Sequence, residues 1–193
     1  MYEKLLSYIN QHITKPLSLE EIELVKAAYQ PKKLRKHQYL LQEGEVCKYS
    51  AFVVKGAMRQ YSVDDKGVEH IVQLAIENWW VGDRESFINL TPSSYNIDAW
   101  EDSELLLISR ANVLSLADAV PVLAEMLRQM DERNAIATQR RLNATISFSA
   151  DKRYEEFSNW YPALIQRFPQ HQIASYLGFT KETLSRIRKR AIK

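Results

Sequence analysis

A single cysteine, Cys47, stands in 193 residues. That excludes an internal disulfide framework, a four-thiolate zinc site and a self-contained iron–sulfur cluster. Glycine and proline are scarce, at five and six, which argues against fibrous and low-complexity classes. Hydrophobic residues at 46% against 26% charged give the chain enough apolar surface to fold rather than stay disordered. No apolar run approaches the roughly 20 residues of a membrane span; the longest, LLLI at 105–108, is strand-sized. The opening MYEKLLSYINQH lacks a basic start, an apolar core and a small-residue cleavage site, so the expected location is a reducing cytoplasm with no membrane partner. Also missing are a nucleophile–base pair at a recognisable spacing, a glycine-rich phosphate loop and a metal-ligand cluster. Asp83 and Glu85 beside Gly82 read as a solvated pair or a helix cap rather than an acid–base pair. An enzyme is not expected, nor a metal or a resident cofactor.

Charge is present but unevenly spread. The net +2 conceals 13 basic against 17 acidic residues over 1–118 and 13 against 7 over 119–193. The last 29 residues hold seven cations and one carboxylate, Glu182. An acidic body with a basic end suggests a polyanion as partner, although a solvated basic helix would give the same count.

Residues 2–29 read as helical, with Leu5, Ile9, Ile13, Leu19, Ile22 and Val25 at three- and four-residue steps broken at Pro16. Ser18 followed by Glu21 forms a capping-box pattern that starts the second helix. From about 32 to 108 the texture is that of short strands. Two β-rich runs, 58–62 and 68–74, flank Asp64-Asp65-Lys66-Gly67 and predict a hairpin; strands at this spacing favour a barrel or sandwich. The tryptophans Trp79 and Trp80 are expected in its core. Beyond Ala111 helix returns, with Val120, Leu123, Leu127, Met130, Asn134 and Ala137 at alternating steps of three and four. Such a seam with one polar Asn predicts a homodimer; the competing reading is a long helix packed on its own barrel. Residues 145–150 read as a break.

The most informative stretch is QHQIASYLGFTKETLSRIRKR at 170–190. Ile173, Ala174 and Leu177 form one inner face, with Ala174 small enough for a second helix to approach. Gly178 supplies a left-handed turn, Thr180 caps the next helix, and Leu184 and Ile187 are its inner face. This is a helix-turn-helix. Outside the inner stripe stand Thr180, Lys181, Glu182, Thr183, Ser185, Arg186, Lys189 and Arg190. Long cations reach phosphates or the guanine edge, and a carboxylate accepts from the cytosine amino group.

These residues resemble a known family. The pattern Ile-Ala-x-x-Leu-Gly-x-Thr-x-Glu-Thr-Leu-Ser-Arg is similar to the DNA-reading segment of the CRP/FNR transcription regulators, and the resemblance extends over about 30–193. It implies an α+β fold: an N-terminal antiparallel, jelly-roll-like β-roll with helices at 1–118, a dimerisation helix at 119–144 and a helix-turn-helix module at 145–193. The β-hairpin wing of the family is expected to be truncated or absent. It implies double-stranded DNA with a near-palindromic operator as partner, a second copy of the chain, and RNA polymerase as a further candidate. Lys181, Glu182 and Arg186 occupy the positions from which family members touch bases. The family's effector cassette maps onto Gly82, Asp83, Arg84, Glu85, Ser86, Ser93 and Ser94. Asp83 stands at the ribose-binding Glu position, and Ser93 replaces the phosphate-binding Arg, forfeiting a charge-assisted contact of about 1.5–3 kcal/mol. Cyclic AMP in its usual mode is therefore not expected, and the effector is unknown. Cys47 beside Lys48 is a candidate redox thiol if its pKa is lowered. The alternative function is a small-molecule sensor whose basic tail binds protein or RNA without reading sequence.

Overall fold

The computed structural model describes residues 1–191. Helices α1 (Tyr2–His12) and α2 (Leu19–Ala28) come first. The capping box forms as expected: the Ser18 hydroxyl accepts from Glu21 N–H while the Glu21 carboxylate accepts from Ser18 N–H. Eight strands follow: β1 (Tyr29–Leu34), β2 (Tyr39–Leu41), β3 (Tyr49–Lys55), β4 (Met58–Val63), β5 (Glu69–Ala75), β6 (Trp80–Val81), β7 (Asn96–Ala99) and β8 (Ser103–Ser109). A short helix α3 (Arg84–Asn89) lies between β6 and β7. Two antiparallel sheets result, β1-β8-β3-β6 and β2-β7-β4-β5. Their inner faces close over Ala51, Val53, Met58, Ala75, Ile97, Ala99, Leu105 and Leu107, all buried. The hairpin β4–β5 turns at the expected place; the Asp64 carboxylate accepts from Lys66 and Val68 N–H, and Gly67 takes φ 77°.

Two readings are corrected here. The helical pattern stops at Ala28, and Tyr29 opens strand β1, which tolerates Pro31 because it lies at a sheet edge. Of the two tryptophans, Trp79 packs on the roll's inner cluster as expected, and Trp80 lies outside it. Trp80 packs against Phe52 and Tyr29 under the helical cover, and Trp79 stacks edge-on against Tyr161. Adjacent strand residues face opposite ways, so neighbours of this kind serve two different layers.

Helix α4 (Arg110–Ala119) leads into the long helix α5 (Pro121–Ser147). The first 28 residues cover the outer face of the first sheet and the base of α5 together: Leu5, Ile9 and Val25 share a cluster with Phe52, Val54, Leu106, Ile108, Val120, Leu123 and Met126. Val120 thus sits at the joint before α5, outside the helix, and with Leu123 it is buried in its own chain's core. Pro121 at the first helical position explains the start. From Asp131 to Asn143 every residue of α5 is exposed. The helix runs to Ser147, so the break is confined to Phe148 and Ser149.

Helices α6 (Ala150–Trp160), α7 (Pro162–Arg167), α8 (Gln170–Leu177) and α9 (Lys181–Ala191) complete the described chain; the expected loss of a wing concerns residues outside it. Their core of Phe157, Leu164, Phe168, Ile173, Ala174 and Leu184 is continuous with Ala57, Tyr61, Ile71 and Leu74 of the second sheet. Polar ties reinforce the junction. The Ser175 hydroxyl accepts from Ile71 N–H at 2.9 Å and donates to Glu69 O at 3.1 Å, closing the free edge of β5. Ser175→Ala leaves both backbone groups without that partner. It should destabilise the docked module by about 1–3 kcal/mol, read as faster amide exchange at Ile71 with the β3–β8 ladder unchanged.

Candidate nucleic-acid interface and sensor cassette

Helix α8 ends because Gly178 adopts φ 72°, ψ 35°, and its N–H together with that of Phe179 returns to the Ala174 carbonyl. Such a turn is open to glycine at no steric cost. Thr180 then starts α9: its hydroxyl accepts from Thr183 N–H at 3.2 Å, and its carbonyl accepts from Leu184 N–H. Leu184 and Ile187 are buried and clamp α9 to α6 and α8. The opposite side is open: Thr180, Lys181, Glu182, Arg186, Lys189 and Arg190 are exposed, with Thr183 and Ser185 half-buried. Glu182 and Arg186, four apart, share a face. The Glu182 carboxyl is held below its usual range by its own backbone N–H and by the Thr180 hydroxyl, so it remains an acceptor. Among the described residues Arg186 makes one weak hydrogen bond, donating to the Thr183 hydroxyl at 3.3 Å. Arg190 lies 3.8 Å from Asp151 and is the most engaged of the row.

The module is fastened to the roll by residues that the linear pattern does not mark. Arg167 donates to Glu77 at 3.0 Å and to Glu101 at 2.5 Å. Arg141 donates to Val72 O at 2.6 Å and to Tyr176 O at 3.1 Å while lying over the Tyr176 ring. Arg141 therefore serves a docking role. These contacts span 66 to 90 residues for Arg167, and only the tertiary fold reveals them. The sign of the Glu77 effect gives a pH prediction. Burial raises its pKa, but the Arg167 guanidinium and the Gly56 N–H outweigh burial and bring it below the ordinary 4.5. A carboxylate depressed in the fold stabilises above its unfolded value and loses that contribution as pH falls through its folded value. The urea midpoint should thus fall below about pH 4.5, and Glu77→Gln should flatten that part of the profile; parallel profiles would refute the assignment.

The hydrogen-bonding groups of the cassette residues are largely engaged within the fold. The Asp83 carboxylate caps α3, accepting from Glu85 and Ser86 N–H. The Ser86 hydroxyl accepts from Cys47 N–H and donates to Thr91 O. The Ser93 hydroxyl accepts from Tyr95 N–H and donates to Tyr95 O, while its backbone pairs with Gly44 and Glu45. Gly82 is half-buried, Glu85 and Ser94 are exposed, and Arg84 points away from the roll to Asp131 of α5 at 2.7 Å. Cys47 departs from expectation: burial pushes its thiol up, despite Lys48 next to it. It is a core thiol rather than a thiolate poised for oxidation.

Residues 31–119 match the family model described as "Cyclic nucleotide-binding domain". No curated protein matches the chain. Among solved structures, FixK2 from Bradyrhizobium japonicum aligns at TM-score 0.69 and 20% identity, over 84% of this chain and 83% of that one. The global regulator CLP of Xanthomonas campestris, described as responsive to c-di-GMP, aligns at TM-score 0.69 and 16% identity over 90% and 91%. The Thermus thermophilus catabolite activator protein aligns at 0.57 and 21% over 91% and 84%. The chain has the CRP-like fold. The CRP/FNR likeness covers both the β-roll and the helices that follow it, since alignments over nine-tenths of the chain cannot be confined to residues 31–119.

Proposed function

We propose that the protein is a homodimeric transcription regulator that reads a near-palindromic DNA operator through α9. The observation that carries this is the exposed row Lys181, Glu182, Arg186 and Lys189 on a helix whose other face is locked by Leu184 and Ile187. A helix held in this way presents donors and an acceptor at fixed spacing, as base-edge readout requires. The exposed stretch of α5, with Leu127 and Met130 leading into Asn134 and Ala137, supplies the surface for a second copy; Val120 and Leu123 are used within one chain. Two copies would place two α9 helices in successive major grooves about one turn apart. The response is not to cyclic AMP in the usual mode, because Ser93 stands where the phosphate-binding Arg is expected, Asp83, Ser86 and Ser93 are engaged by neighbouring backbone groups, and Arg84 is tied to α5. No step of this reading needs catalysis. Selection of duplexes from a random library by the purified protein tests it: an enriched palindrome with half-sites about ten base pairs apart is expected. Binding of all duplexes and of RNA with one salt-governed constant would replace it with the reading of a basic tail that does not recognise sequence.

A further inference from the structure

Helix α1 lies outside residues 31–119, the part of the chain that matches the cyclic nucleotide-binding domain. It is seated across a joint, touching both β3 and α5. Leu5 and Ile9, one turn apart, are buried in the cluster that holds Phe52 and Val54 of β3 together with Leu123 and Met126 of α5. Glu3, Ser7, Asn10 and Gln11 face water, so one side of the helix is spent on the joint and the other on solvent. Two polar ties pin it to the roll. The Lys4 ammonium donates to Val54 O at 3.0 Å, and the Tyr2 hydroxyl donates to Tyr29 O at 2.9 Å.

The same helix reaches toward the cassette. The Tyr8 ring lies 5.3 Å from that of Phe52, which lies 5.3 Å from Trp80. Trp80 belongs to β6, the strand that runs into Gly82 and Asp83. By comparison, the cassette's own ion pair to α5 is slight: Arg84 and Asp131 have side chains 60% and 54% exposed, where a pair contributes little. Apolar contact is therefore what orders the base of α5 against the roll. Helix α1 supplies a share of it while joined to the rest only through residues 13–18. With 11 residues it is marginal as a free helix, so its seat is what folds it. It adds no strand to either sheet, and its detachment is a local opening that leaves both sheets paired.

We propose that α1 is a built-in ligand of the roll: seated between β3 and α5, it holds the long helix in the position from which two copies read DNA, so that operator binding needs no added effector and is lost when α1 leaves its seat. The proposal rests on the DNA-reading assignment and adds what keeps that site active.

The test uses the full chain with a specific protease site inserted between Thr14 and Lys15, both exposed. Cutting after folding, then diluting, releases α1; a synthetic peptide of residues 1–14 is then added back. After release, amide exchange at residues 123–130 of α5 should accelerate about tenfold or more, and operator affinity should fall by a similar factor, with the β3–β8 ladder still protected. Both readouts should recover saturably with the peptide at one common half-saturation, and a peptide carrying Leu5→Asp and Ile9→Asp should restore neither. If α1 stays seated after the cut, Leu5→Asp/Ile9→Asp in the uncut chain lifts it, and the same changes and the same rescue are expected. Undiminished operator affinity once α1 has left overturns the proposal and leaves the α9 reading standing. Exchange that rises equally along the β3–β8 ladder also overturns it, since α1 would then support the whole roll rather than α5. If the intact protein prefers no DNA sequence, the DNA-reading assignment fails and the claim on operator binding fails with it; the exchange pattern alone then decides whether α1 holds α5.

Discussion

Under the proposed DNA-reading role, Arg186→Ala should abolish sequence-specific binding while the fold survives. A bidentate arginine contact to guanine carries about 1–3 kcal/mol of discrimination, and a symmetric dimer makes it twice, so a palindrome should lose between one and four orders of magnitude. Nothing in the fold resists the change. The side chain is exposed, and among the described residues it makes only the weak hydrogen bond to the Thr183 hydroxyl. Arg186→Lys should rescue only part of the loss, because an ammonium keeps the charge but not the planar fork. Fluorescence anisotropy against the selected duplex and a scrambled one separates the effects. A specific-to-scrambled ratio unchanged by Arg186→Ala would remove this residue from base reading.

The largest stability effect should come from Arg59→Ala. Arg59 on β4 donates to both oxygens of Asp98 on β7, at 2.8 and 2.9 Å, and also to Glu69. Its side chain is 8% exposed and that of Asp98 only 4%. Burial works against the charged guanidinium, but bonds to the two carboxylates reverse this and raise its pKa. Removing the arginine strands a buried carboxylate, which costs about 3–5 kcal/mol. For a chain of this size that is a fall in Tm of about 6–20 °C. Replacing the pair together, Arg59→Met with Asp98→Leu, should restore most of the loss, since apolar substitutes for a buried pair are often neutral. A melting point within 2 °C of wild type for Arg59→Ala, against the scale of about 2–4 °C per kcal/mol, would show that water or a neighbour compensates Asp98.

What the linear sequence revealed was punctuation that acts locally. Ser18 with Glu21, Asp64 with Gly67, and Gly178 with Thr180 each satisfy backbone groups within four residues of themselves, so the capping box, the hairpin and the helix-turn-helix were all legible. Pro31 hid strand β1 because proline is a strand breaker everywhere except at an edge, and edge position is a property of the sheet. Asp98 hid in a short polar run, Asn-Ile-Asp-Ala, whose partner Arg59 lies 39 residues away. The 3,4 periodicity that began at Val120 was real, but its first members face the chain's own helices; periodicity identifies an apolar stripe and is silent on what covers it. Arg141, one turn past the seam, reaches sheet and helix at once through contacts 35 and 69 residues away.

Helix α5 is fixed at three places: its base in the cluster with α1 and α4, Asp131 to Arg84, and Arg141 to β5 and α8. It behaves as a beam clamped along its length rather than a free lever. Between α5 and the terminal module the non-helical joint is Phe148–Ser149, so a swing of that module about α5 concentrates in a handful of backbone torsions. The same swing must break the Ser175, Arg141 and Arg167 ties and uncover the shared core in one event. Detachment of the module therefore has an all-or-none character, and a population of molecules passing through it should show two discrete positions with little in between.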